Sequence, residues 1–176
     1  VFIDQFSKIT DMAYSPDGQW ILMSAIVNGQ SDIFVYSTGS KSFKRITNDA
    51  YDDLYPRFVD DSRMIAFSSN RISDTLSYDV LTYLTDYSDT LFKQDYLDIF
   101  AYNFQTESPV LMRVTNTPDA NETRPMPYED GYFTYLSDES GINNMYMARF
   151  DSAIAYVDTS VHYRYFSESF PVSNYQ

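Results

Sequence analysis

The side chains that could carry out nucleophilic chemistry are scarce in this sequence. The 176 residues include no cysteine and one histidine, His162, which lies in an aromatic stretch near the C-terminal end. Acyl transfer requires a serine or cysteine, a base and an acid that orients the base, and the sequence has no Gly-x-Ser-x-Gly motif. We interpret His162 as a packing or surface residue, and the sequence predicts that this chain is not an enzyme.

Carboxylates are the other groups that could do chemistry, because calcium takes oxygen ligands alone. Aspartates cluster at Asp49, Asp52 and Asp53 and again at Asp60 and Asp61. No cluster has the alternating aspartates and distal glutamate of a calcium-binding loop, and nothing singles out a carboxylate pair of the glycosidase kind. We interpret these aspartates as caps of turns, and the sequence predicts no cofactor and no metal site.

A repeated unit of short strands and turns must position these residues. In its first copy a short apolar run ends at Ser15-Pro16-Asp17-Gly18, a combination that favours a turn. Residues 20–27 then form an apolar, β-branched run that ends in the hairpin signal Asn28-Gly29. Residues 32–36 and 43–47 complete a four-stranded meander without a helix.

The same unit returns twice further along the chain. Residues 97–102 repeat residues 31–36, and Arg113-Val114-Thr115-Asn116 repeats Arg45-Ile46-Thr47-Asn48. A third copy follows from Glu122. The sequence therefore predicts an all-β chain, a β-propeller segment of about three four-stranded blades plus the outer strand of a preceding blade.

The repeats also predict where each blade begins and ends. Because propellers close with roughly 4–8 blades and three blades leave open edges, we expect the chain to be part of a longer polypeptide. The predicted divisions are the outer strand of a preceding blade at 1–10, a blade at 11–48, a blade at 49–116 with an insert at 72–96, a blade at 117–158, and an exit segment or linker to a further module at 159–176.

The insert at 72–96 is the strongest candidate for a binding surface. It makes the second unit roughly 25 residues longer than the first, and it combines aspartates with tyrosines. Insertions in repeat proteins map to one face, often the binding face. We predict a surface loop that binds a partner through Tyr78, Asp79, Tyr83, Asp86, Tyr87 and Asp89.

The repeated motifs resemble those of one known family. The turn Ser15-Pro16-Asp17-Gly18, followed by an aromatic and aliphatic strand, by residues 32–36 and then by residues 45–48, resembles the blade signature of TolB-like β-propellers. Residues 67–71 of the second blade are also similar to the end-of-strand pattern of that family. The resemblance covers most of residues 6–150.

The resemblance implies a non-catalytic, protein-binding scaffold of the bacterial cell envelope, in the periplasm or associated with the outer membrane. It implies a partner such as a peptidoglycan-associated lipoprotein, and association with outer membrane or peptidoglycan through a module outside this segment. Similar propellers occur in long envelope proteins of the Bacteroidota. Two alternatives stay open: the propeller (gating) domain of a serine peptidase whose catalytic domain is absent here, and a carbohydrate-binding propeller, favoured by the 17 tyrosines.

Composition argues against binding to nucleic acid and against a membrane-spanning helix in this sequence. The chain has 25 acidic and 12 basic residues, a net charge of −13, and its basic residues are scattered. Binding to nucleic acid needs clustered lysine and arginine, so we predict no nucleic-acid partner and interpret the acidity as a solvated surface. No run approaches the roughly 20 apolar residues that a transmembrane helix needs.

Overall fold

The computed structural model describes residues 6–76, 93–157, 159 and 161–175. In these ranges the chain forms twelve β-strands and one short 3₁₀ turn at Glu129–Gly131. The strands make three antiparallel sheets of four strands each, and within every sheet the strands lie side by side in chain order. The all-β fold and the three four-stranded blades predicted from the sequence are therefore confirmed.

The first sheet follows the predicted meander closely. Ser15 lies in the turn between its first two strands, where its Oγ donates to Asp17 Oδ1 at 2.6 Å, and Gly18 has the positive φ of +69° that this tight turn requires. Short polar turns of this kind join strands that alternate in direction. The strands are β1 (Lys8–Tyr14), β2 (Trp20–Val27), β3 (Gln30–Ser37) and β4 (Phe43–Arg45).

The second sheet carries the insert between its second and third strands. Arg71, the last residue of β6, pairs with Lys93, the first residue of β7. The insert is therefore shorter at its C-terminal end than the predicted 72–96, because residues 93–96 already belong to a strand. The strands are β5 (Asp53–Val59), β6 (Met64–Arg71), β7 (Lys93–Asn103) and β8 (Met112–Arg113).

The third sheet differs most from the prediction. Its last two strands form a long hairpin in which Val157 pairs with Val161 and Tyr146 with Pro171. The segment 159–176, predicted as an exit segment or linker, thus contains the fourth strand of the third blade, and the predicted boundary at 158 is wrong. The strands are β9 (Glu122–Pro127), β10 (Tyr132–Ser137), β11 (Asn144–Val157) and β12 (Val161–Pro171).

The N-terminal boundary also needs correction. Residues 8–10 were predicted to belong to the outer strand of a preceding blade, but Lys8 pairs with Ile26 and Ile9 with Ala25. These residues are therefore the beginning of β1. The predicted boundary between residues 10 and 11 therefore falls inside this strand.

The core lies between successive sheets, because alternate side chains of each strand point to opposite faces of its sheet and pack against the sheets on either side. Leu22, Ile33 and Phe100 are fully buried between the first and second sheets, and Ile99 and Phe133 are fully buried between the second and third. We call these contacts the first interface and the second interface. Since β5 contacts both β1 and β9, the first strands of the three sheets are neighbours.

The alternation of strand direction gives each sheet two distinct ends. We call one the connector end, because it holds the links between sheets together with the β2–β3 and β6–β7 hairpin ends. The opposite end holds the β1–β2, β3–β4 and equivalent turns. After Arg71, the last residue of β6 at the connector end, the chain pairs with the segment that precedes β8: Thr75 pairs with Val110, and Leu76 is buried. The tip of the β11–β12 hairpin, between Val157 and Val161, lies at the opposite end.

Candidate binding sites

The predicted partner-binding residues of the insert cannot be placed by this structure. Tyr78, Asp79, Tyr83, Asp86, Tyr87 and Asp89 all lie outside the described residues. His162 lies in β12, where its backbone pairs with Tyr156. The insert's role as a binding surface therefore stays a prediction, and its two described ends show where it is attached.

Polar contacts at the connector end hold Ile72, which begins the insert, and Lys93, the first described residue after it. The Lys93 Nζ lies 3.6 Å from Asp52 Oδ2 and 3.4 Å from Gln30 Oε1, and Gln30 also donates to Asp52 Oδ1 at 2.8 Å. On the other side, the Arg113 guanidinium donates to the carbonyl oxygen of Ile72 at 3.1 Å. The base of the insert is thus tied to the turn of the first sheet and to the outer strand of its own sheet.

A buried aspartate with a threonine and an arginine recurs in the first two sheets. In the first sheet, Thr47 Oγ1 accepts from the Ile33 amide at 2.9 Å and lies 3.4 Å from Asp32 Oδ1. Arg45 donates to Asp32 Oδ2 at 2.5 Å. Burial raises the pKa of Asp32 to about 7, and Arg45 acts against this rise. The motif ties the outer strand of the sheet to its third strand.

The second sheet repeats the same motif around Asp98. Thr115 Oγ1 accepts from the Ile99 amide at 2.8 Å and donates to Asp98 Oδ1 at 3.1 Å. Arg113 donates to Asp98 Oδ2 at 2.7 Å. The residues of this motif are those whose sequence repeat was recognised, and the structure shows that they cap the end of each sheet.

The third sheet contains a neutral version of this motif that sequence reasoning missed. Ser173 Oγ accepts from the Met145 amide at 2.8 Å and donates to Asn144 Oδ1 at 2.9 Å. Pro171-Val172-Ser173-Asn174 therefore stands where the first sheet has Arg45-Ile46-Thr47-Asn48. The signal was present in the sequence, but 29 residues separate Asn144 from Ser173, against 15 and 17 in the first two sheets.

A second buried ionic group lies at the connector end of the first interface. Arg71 is fully buried, and its Nη2 donates to both carboxylate oxygens of Asp53 at 2.8 Å. Its Nη1 donates to Asp49 Oδ2 at 3.2 Å, and the guanidinium lies 5.2 Å from the centre of the Tyr51 ring. Burial raises the pKa of Asp49 to about 6, followed by the repulsion of Asp53, while Arg71 lowers it.

The equivalent place in the second interface has a glutamate and no arginine. Asn70 Oδ1 accepts from the Asp52 amide at 2.8 Å, just as Asp138 Oδ1 accepts from the Asn121 amide at 2.7 Å. Asn70 and Asp138 therefore occupy equivalent positions in the two sheets. Because Arg71 follows Asn70 and Glu139 follows Asp138, Glu139 stands at the position equivalent to Arg71. The first-strand carboxylate next to this pair is Asp53 in the first interface and Glu122 in the second.

At the opposite end, the first interface is closed by large side chains. Trp20 packs edge-on against Phe104 with ring centres 5.5 Å apart, and Phe104 packs at the same distance against Phe58. An ion pair between Lys44 Nζ and Glu107 Oε1, 2.5 Å apart, spans the rim. Aromatic rings and a bridging pair thus fill the space between the first and second sheets.

The second interface is open at the same end. Its residue in the place of Trp20 is Met64, and its residue in the place of Phe104 is Phe150. A cleft of about 870 Å³ lies here between the second sheet and β11. Met64, Ala101, Leu111, Met112 and Phe150 form an apolar floor, and the polar rim includes Asp60, Arg63, Asn103, Gln105, Thr106 and Asp151.

Among the described residues no group of three or more histidine, cysteine, aspartate or glutamate side chains is arranged to hold a metal ion. The same ranges contain no helix long and apolar enough to cross a membrane. The cleft combines an apolar floor with a few polar groups at its rim, which is the usual composition of a ligand-binding surface.

Comparison with solved structures identifies the fold. TolB from Acinetobacter baumannii matches with a TM-score of 0.54 and 18% identity, over 80% of this chain and 29% of that chain. A putative TolB from Agrobacterium tumefaciens matches with a TM-score of 0.56 and 17% identity, over 80% and 46%. A puromycin-hydrolyzing peptidase from Mycobacterium tuberculosis matches with a TM-score of 0.54 and 12% identity, over 80% and 22%.

These likenesses establish the fold and no more, because all of them lie well below 25% identity. The chain spans less than half the length of each of the three structures. No protein-family model matches the chain, and no curated protein matches it. The chain therefore has the TolB-like propeller fold recognised in its sequence, and what it binds has to be argued from its own residues.

Proposed function

We propose that this chain is a non-catalytic, protein-binding scaffold of the bacterial cell envelope. The observation that carries the proposal is the cleft in the second interface, where an apolar floor meets a polar rim on a rigid β-scaffold. Propellers suit this role because their loops surround a fixed framework and hold a protein by many weak contacts. The likeness in fold to two TolB structures supports an envelope setting.

The occupant proposed for the cleft is an extended segment of a partner protein, with an aromatic side chain beside a basic residue. In the first interface the corresponding space holds the indole of Trp20 against Phe104. In the second interface, Met64 and Phe150 leave room for such a ring. Basic neighbours on the partner suit the net charge of −13, because opposite charges favour encounter and like charges exclude acidic proteins.

The insert supplies a second contact surface in this proposal. Its residues Tyr78, Asp79, Tyr83, Asp86, Tyr87 and Asp89 come after Leu76, whose amide donates to the carbonyl oxygen of Pro109 next to Val110, a residue that lines the cleft. Tyrosine and aspartate offer aromatic contact area and charge to a basic partner.

The location that goes with this function is the periplasm or the periplasmic side of the outer membrane. The partner would be an envelope protein such as a peptidoglycan-associated lipoprotein, and attachment to outer membrane or peptidoglycan would come from a module outside this segment. The proposal includes no nucleic acid and no cofactor. Its support is the fold likeness, the acidic charge and the cleft.

A peptide-binding experiment tests the role of the cleft. Chemical shifts of the isotope-labelled protein are followed by NMR during titration with N-acetyl-Arg-Trp-Arg-amide and, as the matched ligand, N-acetyl-Arg-Ala-Arg-amide. We expect saturable shifts at residues of the cleft with the tryptophan peptide and at least tenfold weaker binding of the alanine peptide, because only the ring fills the apolar floor.

Two variants separate binding in the cleft from binding elsewhere. Met64→Trp places an indole in the cleft, as Trp20 does in the first interface, and should abolish the shifts. Met126→Trp adds the same ring at a half-exposed methionine outside the cleft and should leave binding unchanged. Equal binding by the wild type and Met64→Trp, or equal binding of the two peptides, would contradict the proposal.

The propeller domain of a serine peptidase is the second candidate, and the likeness to a peptidase structure favours it. This candidate predicts that the polypeptide carrying these residues in the cell reacts with a fluorophosphonate probe, which labels activated serines. We expect no labelling. Labelling of that polypeptide would favour the peptidase and leave the cleft as a feature of its propeller.

A further inference from the structure

Equivalent buried carboxyl groups at the connector ends of the two interfaces have different neighbours. Asp53 begins β5 and accepts two hydrogen bonds of 2.8 Å from the Arg71 guanidinium. Glu122 begins β9 and is 1% exposed, yet the residue in the place of Arg71 is Glu139, which is exposed and accepts a hydrogen bond from the Tyr146 hydroxyl. Glu122 has therefore lost the cation that its counterpart has.

The neighbours of Glu122 satisfy one of its oxygens and leave the other alone. Ser137 Oγ donates to Oε1 at 3.1 Å, and Thr117 and Ser137 both act to lower the pKa of this carboxyl group. Oε2 is buried and has no hydrogen-bond partner among the described residues. The negative charge of Asp98 raises the pKa of Glu122, and a hydrogen bond between the two carboxyl groups would require a proton, because two carboxylates are both acceptors.

Most charged groups on the strands packed against β9 form ion pairs. These strands are β5, β6, β7 and β10. Asp98 itself already accepts 2.7 Å and 3.0 Å bonds from Arg113 and Gln94. The other pairs on these strands are Asp53 with Arg71, Arg57 with Asp11, and Lys93 with Asp52, and the remaining titratable residues there are Tyr55, Asp95, Tyr96, Tyr102, Tyr132 and Tyr135.

We propose that Glu122 keeps its proton in the folded protein, donates it to the Asp98 carboxylate, and so acts as a pH-sensitive catch between the second and third sheets. A neutral Glu122 supplies the proton that a hydrogen bond to Asp98 needs, and this bond holds the start of β9 against β7. An ionised Glu122 would place a second negative charge beside Asp98 with one guanidinium, that of Arg113, to balance both. Loss of the proton should therefore loosen the second interface at its connector end.

The direction of the pH effect follows from the environment. Burial raises the pKa of Glu122 to about 7 from its ordinary value of 4.5, and the negative charge of Asp98 adds to the rise. Below pH 4.5 the residue is protonated in both the folded and the unfolded chain, so its contribution to stability is complete there. This contribution is lost progressively as the pH rises from about 4.5 to about 7, and it changes no further above that pH.

Hydrogen exchange of backbone amides between pH 5 and 8 tests the catch. Glu122→Gln is the informative variant, because glutamine has nearly the same shape, cannot ionise, and can donate a hydrogen bond towards Asp98. In the wild type, protection factors of amides in β9 and β10 should fall by up to about tenfold per pH unit until about pH 7. In Glu122→Gln they should stay nearly constant over this range.

Two controls keep the interpretation specific. Amides of the first sheet report on the titration of Asp32 and Asp49, whose pKa values burial also raises, and they should behave identically in the wild type and in Glu122→Gln. Asp53→Asn changes the counterpart carboxyl group, and the pH dependence of the third sheet should survive it. The same pH dependence of the third sheet in the wild type and in Glu122→Gln would overturn the proposal.

A spectroscopic measurement gives an answer even if a variant fails to fold. The wild type in heavy water at pH 6 should show the infrared carbonyl band of a buried, protonated carboxylic acid, and the part due to Glu122 should disappear above about pH 8. Selective ¹³C labelling of glutamate separates this band from those of Asp32 and Asp49. Absence of a protonated glutamate band at pH 6 would refute the catch.

Discussion

The two interfaces of this molecule share one backbone plan and differ in the side chains that fill them. At the connector end, Arg71 neutralises the buried carboxylates of the first interface, whereas no cation of the described residues pairs with Glu122 in the second. At the opposite end, Trp20 and Phe104 close the first interface, whereas a cleft opens in the second. The repeat thus determines how the sheets stack, and single substitutions decide whether an interface is filled by side chains or opens into a cleft.

The largest effect should come from removing the buried cation of the first interface. Arg71→Met keeps the aliphatic bulk but leaves Asp49 and Asp53 buried without their partner. We expect a loss of about 3–5 kcal/mol in the free energy of unfolding, measured by urea denaturation at pH 7. Arg63→Met is the control, because Arg63 pairs with Asp60 at an exposed site and should cost about 0–1 kcal/mol.

A small effect of Arg71→Met would break the comparison between the interfaces. If this variant loses no more than Arg63→Met, the carboxylates of the first interface do not depend on the guanidinium. The difference between Asp53 and Glu122 would then have no energetic meaning.

A smaller, graded effect is expected from the motif that caps the outer strands. Thr47→Val and Thr115→Val each leave a buried amide without a hydrogen bond and remove one of the hydrogen bonds that a buried aspartate accepts, which should cost about 1–3 kcal/mol. Ser173→Ala breaks the neutral counterpart beside the exposed Met145 and should cost about 1 kcal/mol or less. Denaturant midpoints of the three variants rank their losses of stability. An equal or larger loss for Ser173→Ala would show that charge and burial do not set the strength of this motif.

The smallest effect should come from the ion pair at the rim of the first interface. The side chains of Lys44 and Glu107 are 43% and 57% exposed, so Lys44→Ala should change stability by about 0–0.5 kcal/mol, and less in 1 M salt. The aromatic contact of Trp20 and Phe104 would then be what keeps the first interface closed. A loss above 1 kcal/mol that salt removes would instead assign the closure to the ion pair.

Much of the fold could be predicted because its signals are local. The turn at Ser15-Pro16-Asp17-Gly18, the hairpin signal Asn28-Gly29 and the alternating strands each depend on residues a few positions apart. The fourth strand of the third blade was missed because the long hairpin of β11 and β12 moves its capping residue Ser173 far from Asn144. A repeat is recognised by its spacing, and here the spacing had changed.

The candidate sites were less predictable because they depend on contacts through space. The interaction of Arg71 with Asp49 and Asp53 joins residues about twenty positions apart, and no local pattern marks Arg71 as buried. Met64 occupies the position equivalent to Trp20, but the cleft that results depends on how two sheets approach each other. The acidic insert remains a prediction because its named residues lie outside the described part of the chain.

The order of strands has a consequence for how the chain folds and unfolds. In each sheet every strand pairs with a neighbour in sequence, and among the described residues no strand passes from one sheet to another. Each sheet can therefore assemble from local hairpins, and stability becomes a sum of sheet terms and interface terms, as in a linear array. With a sealed first interface and an open second one, the third sheet should be the first to detach, as a cooperative unit of partial unfolding.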